Sequence, residues 1–482
     1  MSRINTNIPA IQATHRLAAN QFDLGVRLER LSTGLRINRG RDDPAGLSAS
    51  ETLRSEIRGI TQAVENSQRA INVISTTEGA LNEISALLLD IRGLVIHSAN
   101  TGANSTEELR ADQLQIDSLL EAIDRIANTT QFGGEKLING NFEYNVSGIV
   151  ASQIATATLF GARVPVGGFQ NVTVEVASVA STAALDFQFT TAGATLSANA
   201  TIELQGTLGT EIISFTSGSN AAAVAAAINN VAQTTGVSAT VFVSGATTQI
   251  QLRSQTYVSD AFVSGKPIDG DFNLASGLRT TGNEARDAGV NPTVLINGQQ
   301  AAASGLEVSL RSNGLDVQLE LTAGQATTAG TSTFQVTGGG ATFQIGAEVN
   351  PNGQVSIGIP SVGTSNLGNA VVGFLNTVKG AGTNSVLGGN SQQAEQILVE
   401  AISQVAVIRG RLGGLQRNQI ETNINSQRIA LENVQAAESA IRDADIAVEV
   451  AGLTRAQILV QSTQSILGLA NSLPQNVLSL LG

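Results

Sequence analysis

Only two histidines, His15 and His97, occur among the 482 residues, both in segments with helical periodicity, and the chain has no cysteine. Catalysis by general acid–base or nucleophilic groups needs ionisable side chains that converge, and neither histidine has a ready partner in the sequence. Without cysteine there are no disulfides, no thiolate nucleophile and no zinc–thiolate site. One stretch, Asp269-Gly-Asp-Phe-Asn273, begins like a calcium loop. Its sixth place is Leu274, where the sharp turn needs glycine, and its twelfth is Thr280, where a bidentate glutamate is needed, so a polar turn is expected. Asp42, Asp43, Asp443 and Asp445 lie near Arg36, Arg39, Arg41 and Arg442. Such groups either pair across subunits or stay solvated, and exposed pairs contribute only about 0–1 kcal/mol. No catalytic residue, metal or cofactor is expected.

The elements that position these residues divide the chain in three. Both ends carry apolar residues at alternating steps of three and four, whereas the middle is rich in glycine, threonine and short alternating runs. Leu17, Gln21, Leu24, Leu28, Leu31 and Leu35 form a coiled-coil seam in the first helix. Turn formers follow from Gly40 to Gly46. A second helix carries Ile57, Ile60, Val64, Ile71, Ile74, Leu81, Leu88 and Val95 on a heptad stripe. After a polar turn at 100–106, Leu109, Ile116, Leu120 and Ile123 start a third helix that returns alongside, and Gly133-Gly134 closes the helical part. Near the other end Ile420, Ile424, Leu431, Val434 and Ile441 form a similar stripe, whose expected partner is the helix starting near residue 50. Leu459, Ile466, Leu473 and Leu480 follow at steps of seven, with Pro474 expected to kink or fray that end.

Isolated helices are marginal in water, so these stripes must meet each other or other copies of the chain. The expectation is that the termini are loosely ordered in the monomer and gain their partners in an assembly. In the middle, Leu306, Val308, Leu310 and Leu315, Val317, Leu319 alternate on either side of Asn313-Gly314, a hairpin with a type I′ turn signal. Residues 201–254 read as a small α+β unit with an alanine-rich helix from about Ala221 to Ala232. The fold class expected is α+β multidomain, with long terminal helices in coiled-coil and bundle arrangements and one or two β-rich inserted domains.

A net charge of −12 argues against nucleic acid as a partner, since phosphate binding needs a basic footprint. The 24 Arg against three Lys (Lys136, Lys266, Lys379) fit bidentate ion pairs between packed helices or a codon bias equally well. No apolar run reaches the roughly eighteen residues of a membrane span, and the N-terminal residues lack the apolar core of a cleaved signal. If the chain leaves the cell, the expectation is a route that reads an uncleaved end, and no insertion in a membrane is expected.

Five motifs in order carry a family resemblance: Leu31-Ser-Thr-Gly-Leu-Arg-Ile-Asn38, Asp42-Asp43-Pro44-Ala45-Gly46, Leu81-Asn-Glu-Ile84, Thr130-Gln-Phe-Gly-Gly134 and Pro474-Gln-Asn-Val-Leu-Ser-Leu-Leu481. Together they resemble bacterial flagellin, over about 140 residues at the front and 90 at the back. The 201–254 unit is similar to the small module inserted in flagellins and hook proteins. The resemblance implies a filament subunit for swimming motility, exported through the flagellar channel and found outside the cell, with itself, the export machinery, an export chaperone, and cap and hook-junction proteins as partners. It implies three domains: 1–42 with 446–482 as an inner tube, 43–142 with 393–445 as an outer tube, and 143–392 as a variable β-rich insert. Arg36, Asn38, Asp42, Asp43 and Gly46 would form the turn between the tubes.

Two further expectations come from the family. Some flagellins carry a His-Glu-x-x-His protease motif, which this sequence lacks. In flagellins that activate the host Toll-like receptor, the segment after Leu-Asn-Glu-Ile resembles Gln-Arg-Val-Arg-Glu-Leu, with an arginine at the central contact. Here Leu89-Asp-Ile-Arg-Gly-Leu94 puts Asp90 in that place and keeps Arg92, and Ala122 stands where glutamate is expected. Reversing a central charge costs a buried interface several kcal/mol, so receptor activation should be weak. The rivals are a hook–filament junction protein and a filament-borne adhesin acting through the insert.

Overall fold

A computed structural model describes residues 6–165, 168–188, 195–244, 247–269, 273–274, 285–312 and 314–479. The Asn7 side chain accepts from the Ala10 amide and Pro9 lies in the first turn, so helix α1 (Ile8–Thr33) starts where the chain can cap it. Gly34 ends it in the left-handed conformation, its N–H donating to the Arg30 carbonyl. Helix α2 (Pro44–Ser98) has proline at its first position, and helix α3 (Thr106–Thr129) opens with a reciprocal capping box between Ser105 and Glu108. Helix α4 (Ala221–Asn230) lies in the middle of the chain. Helix α5 (Ser391–Leu415) passes through a π-helical turn (Gln416–Glu421) into α6 (Thr422–Arg442), and α7 (Ile446–Ser479) ends the described chain. The helical assignment continues past Pro474 to Ser479. Helical structure at the front stops at Thr129, and Gly133-Gly134 turn a short hairpin between Gln131–Phe132 and Glu135–Lys136.

The chain divides into two compact units: residues 1–71, 343–354 and 415–482, and residues 72–342 and 355–414. The division cuts α2 itself.

In the first unit α1 and α7 run antiparallel. Asn7 Nδ2 donates to the Ala470 carbonyl at 2.7 Å, Asn20 Nδ2 to Thr463 Oγ1 at 2.8 Å, and Arg27 to Glu449 at 2.7 Å. The first half of α2 meets α6, through Ser50 to Glu438 and Arg442 to Glu51, which is the pairing expected from the stripes. On this pair Ile60, Ile420 and Ile424 are buried, and Ile57, Val64, Ile71, Leu431, Val434 and Ile441 half-buried.

The second unit holds the rest of α2, with Ile74, Leu81, Leu88 and Val95 buried, and α3, with Ile116, Leu120 and Ile123 buried. Helix α5 buries Ile397, Leu398, Ala401, Val405 and Leu412. The returning segment before α5 lies along one face of α3: the amides of Thr364, Gly380 and Val386 donate to Asp124, Asp117 and Gln113.

Two β-rich cores follow, both antiparallel. One lies between a five-stranded sheet centred on Gln170–Ser178 and Gly330–Gly339 and a four-stranded sheet containing Ile154–Ala162, Glu307–Ser312 and Leu315–Leu321. The expected hairpin is in it, with Leu310 opposite Val317 and Ser312 opposite Leu315; Asn313 lies outside the described residues. The second core is nested in the first along the chain, between residues 183 and 285, and packs Phe187, Ile202, Leu204, Ile250, Leu252 and Val263 with α4. It takes in the 201–254 unit and adds Ala184–Gln188, Phe262–Asp269 and Ala285–Ala288. Among the described residues, the middle therefore shows two cores. Residues 270–272 and 275–280 of the calcium-like stretch lie outside the described residues.

Candidate polymerisation surface

The seam that joins α1 to α7 is made only in part of the residues that hydrophobicity alone selects. On α1 the inward positions are Ala13, Leu17, Asn20, Leu24, Arg27 and Leu31, at steps of four and three. On α7 they are Glu449, Leu453, Ala456, Val460, Thr463, Leu467 and Ala470, each buried or half-buried and again at steps of four and three. Knobs-into-holes packing needs this spacing, and a polar residue at one of its positions sets register at some cost in stability. One layer of the seam is small or polar and the next aliphatic.

Of the expected stripe, Leu17, Leu24 and Leu31 are in this seam, and Leu35 is half-buried in the turn beyond it. Leu28, Leu459 and Ile466 are corrected to the outer face, 50%, 39% and 55% exposed. The seam steps by three from Leu24 to Arg27 and by four from Ala456 to Val460 and from Thr463 to Leu467, so Leu28, Leu459 and Ile466 each sit one residue, about 100°, to the side of it. The side chain of Leu473 and all of Leu480 lie outside what the structure describes. The outer face also carries Ile8, Ile11, Phe22, Ile446, Val448, Val450, Ile458 and Leu469, all exposed. Of the two routes open to the terminal stripes, the single chain takes the first along one side, where its two ends cover each other.

Sequence reasoning missed Ala13, Asn20, Arg27, Arg30, Glu449, Ala456, Thr463 and Ala470. The signal was present in the seven-residue spacing of Glu449, Ala456, Thr463 and Ala470, but small and polar residues weigh little in an apolar periodicity. Glu449 receives Arg27 on Oε2 at 2.7 Å and Arg30 on Oε1 at 3.1 Å, with 7% of its side chain exposed. Burial pushes its carboxyl up; the two guanidinium groups outweigh this and hold it below the ordinary range.

The turn residues close on themselves within the chain. Asp42 Oδ2 accepts the amides of Arg39 at 2.9 Å and Asn38 at 3.2 Å, and these bonds, Arg39 foremost, hold its carboxyl below the ordinary value. Asp43 caps α2 by accepting from the Gly46 amide at 2.9 Å. A Cβ on Gly46 would come within 2.4 Å of Asp43 Oδ2 and 2.7 Å of the Ile37 side chain, so any larger residue would have to push both side chains aside. Asn38 Nδ2 donates to the Leu35 carbonyl, and the Arg36 guanidinium lies 3.9 Å from Asp43. Asp445 accepts the amides of Ala447 and Val448 at the start of α7. These acids thus have partners in their own chain, and the pairing across subunits is not needed to explain them.

In the second unit Leu89 and Asp90 are exposed on α2, Arg92 is half-buried and ion-paired with Glu395 at 3.0 Å, and Ala122 is half-buried on α3. His97 sits 2.8 Å from Asp112, which raises the imidazole pKa, while His15 is exposed on α1. Among the described residues no group of three or more His, Asp or Glu is placed to hold a metal ion, and no helix is long and apolar enough to cross a membrane.

Comparison with known proteins matches residues 4–143 to the bacterial flagellin N-terminal helical region, 396–481 to the bacterial flagellin C-terminal helical region and 201–256 to the flagellin hook IN motif. Flagellin B of Vibrio cholerae is 30% identical over 484 residues, covering 99% of both chains. The B-type flagellin of Pseudomonas aeruginosa and the flagellin of Escherichia coli are each 30% identical, over 524 and 506 residues, again covering 99% of both chains. With matched helical regions at both ends and likeness along its whole length, this chain belongs to the bacterial flagellin family and is a structural subunit of the flagellar filament.

Proposed function

We propose that this chain builds a helical homopolymer for swimming motility, by assembly of its terminal helices onto those of neighbouring copies. The observation that carries this reading is the outer face of α1 and α7, where Ile8, Phe22, Leu28, Ile458, Leu459, Ile466 and Leu469 remain exposed in a single chain. Burying one such side chain is worth roughly 1.5–3 kcal/mol. Each such side chain covered by a neighbouring copy adds to the lattice a term that the single chain cannot gain, which favours growth on an existing end over free nucleation. In the same reading the inner tube is 1–42 with 446–482, the outer tube 43–142 with 393–445, and 143–392 projects outward. The chain leaves the cell through the flagellar export route with an export chaperone, and meets cap and hook-junction proteins at the filament ends.

Seeded assembly of purified monomer followed by sedimentation tests this. Removal of residues 446–482 should abolish pelleting with seeds. Unchanged growth would overturn the reading.

The full-length likeness to flagellins does not favour a hook–filament junction protein. An adhesin role of the insert separates from the propeller role by deletion of residues 150–390, which a pure filament subunit should tolerate. Weak Toll-like receptor activation is supported by the acidic, exposed Asp90 beside Leu89 and by the occupation of Arg92 with Glu395. A reporter response equal to that of a strong activator would refute it.

A further inference from the structure

Heptad seams of aliphatic and small residues are slippery, because a shift of seven residues restores almost the same packing. The seam between α1 and α7 has this weakness, with Ala13, Leu17, Leu24 and Leu31 facing Leu453, Ala456, Val460, Leu467 and Ala470. A shifted pair would still bury its aliphatic layer. It would also carry the outward residues of α7 roughly 10 Å along those of α1, at 1.5 Å per residue.

We propose that Arg27, laid into a notch over Gly452 and clamped with Arg30 on Glu449, is the lock that sets the register of the two terminal helices, and thereby the single outer face a neighbouring copy can meet. Three observations place it there. Glu449 uses both carboxylate oxygens, one for each guanidinium, and is almost fully covered. Glu449 lies in the first turn of α7, where the helix dipole favours a carboxylate, but the dipole does not require that carboxylate to point into the seam. Gly452, one turn further, has Arg27 across its α-carbon: a Cβ there would stand 3.1 Å from Nη1, 3.2 Å from Cζ and 3.4 Å from Cδ. Glycine inside a helix costs about 0.5–1 kcal/mol against alanine, and here the cost makes room for the arginine.

The other polar member of the seam agrees with the same register. Asn20 reaches Thr463 at 2.8 Å and the Leu459 carbonyl at 3.4 Å. A slip of one heptad in either direction puts Asn20 against Ala456 or Ala470 and takes Glu449 away from both arginines, leaving a charge in the seam without its counter-ions. Breaking a buried pair in this way is strongly unfavourable, whereas replacing the whole group by apolar side chains is often neutral for stability. The lock therefore contributes specificity rather than strength. It extends the assembly reading but does not rest on it, since register belongs to the single chain.

The absence of cysteine makes the test direct. In the full chain, the pair Asn20→Cys with Thr463→Cys should form a disulfide on mild oxidation, while Asn20→Cys with Ala456→Cys or with Ala470→Cys should not, because Cα atoms more than about 7 Å apart cannot be bridged. Adding Glu449→Leu should then let the shifted pairs cross-link at least ten-fold more than before, with helical circular dichroism unchanged. Adding Gly452→Leu should do the same by displacing Arg27. Charge exchange (Arg27→Glu and Arg30→Glu with Glu449→Arg) should restore the single pattern. If cross-linking stays confined to Asn20 and Thr463 in the Glu449→Leu chain, the lock is not there. If Glu449→Leu unfolds the helices, the proposal is also overturned, since it predicts lost register with retained structure.

Discussion

The Arg36 amide donates to the Arg442 carbonyl at 2.7 Å, joining two connectors that lie 406 positions apart in the chain. Leu35 and Asp443 form a β-bridge beside it, and the Ala444 amide donates to the Gly34 carbonyl. Both ends of the chain thus change direction at one place. The turn after α1 and the turn before α7 hold each other, so distortion of either should be felt by both terminal helices.

Gly46→Ala tests that turn. The added Cβ meets the Asp43 carboxylate and Ile37, so either the cap of α2 or the buried Ile37 must move. Overpacking of this kind costs about 1–3 kcal/mol. Urea unfolding should show a loss in that range, and Asp43→Ala, which removes the cap and the Arg36 contact without crowding Ile37, a loss of about 0.5–2 kcal/mol.

Phe187→Ala tests whether the nested core is a separate cooperative unit. Phe187 is one of the largest fully buried side chains and belongs to the second β-rich core alone. Truncation should cost about 3–5 kcal/mol there. Hydrogen exchange should rise in strands 200–206, 247–254 and 262–269 while 170–178 and 330–339 keep their protection.

Arg411 ties α5 to the first β-rich core. Its guanidinium stacks 3.8 Å over the Phe160 ring and pairs with Asp316 on the strand Leu315–Leu321. Arg411→Met keeps much of the apolar contact but leaves Asp316 with the more distant Arg311, at 3.6 Å. A loss of about 1–3 kcal/mol is expected, read as lower protection of 315–321, and Asp316→Asn in the same background should recover part of it.

Two groups give opposite pH dependences. His97 gains a bond to Asp112, which raises its folded pKa, so its contribution is fully present below an unfolded value of about 6.5 and is lost as pH rises through the folded one. Asp42 is held down by the Arg39 and Asn38 amides, so its contribution is present above about 3.9 and is lost as pH falls through its folded value. Exchange of amides 99–108 should therefore quicken above neutral pH in the wild type and become pH-independent in His97→Ala once intrinsic exchange is corrected for. Exchange around 38–42 should quicken only in acid.

Much of the fold is legible in the residues. The stripe on α2 is buried at Ile60, Ile74, Leu81, Leu88 and Val95, because large β-branched and aliphatic side chains at helical spacing have no other low-energy place. The hairpin at 307–321 is equally legible, since period-two alternation around a two-residue turn admits one register. The terminal seam is not. Hydrophobic periodicity selects Leu459 and Ile466, which face outward, and passes over Glu449, Ala456, Thr463 and Ala470, which face in.

The sequence by itself determined where helix gives way to sheet, which end-segments can pair and where the turns fall, because these follow from local spacing and residue type. Only the tertiary structure decided which face of α1 and α7 is spent on the chain itself and which is left for others. That choice depends on matching across two helices more than 400 residues apart. A carboxylate between two arginines over a glycine notch is recognised only once both helices are in place.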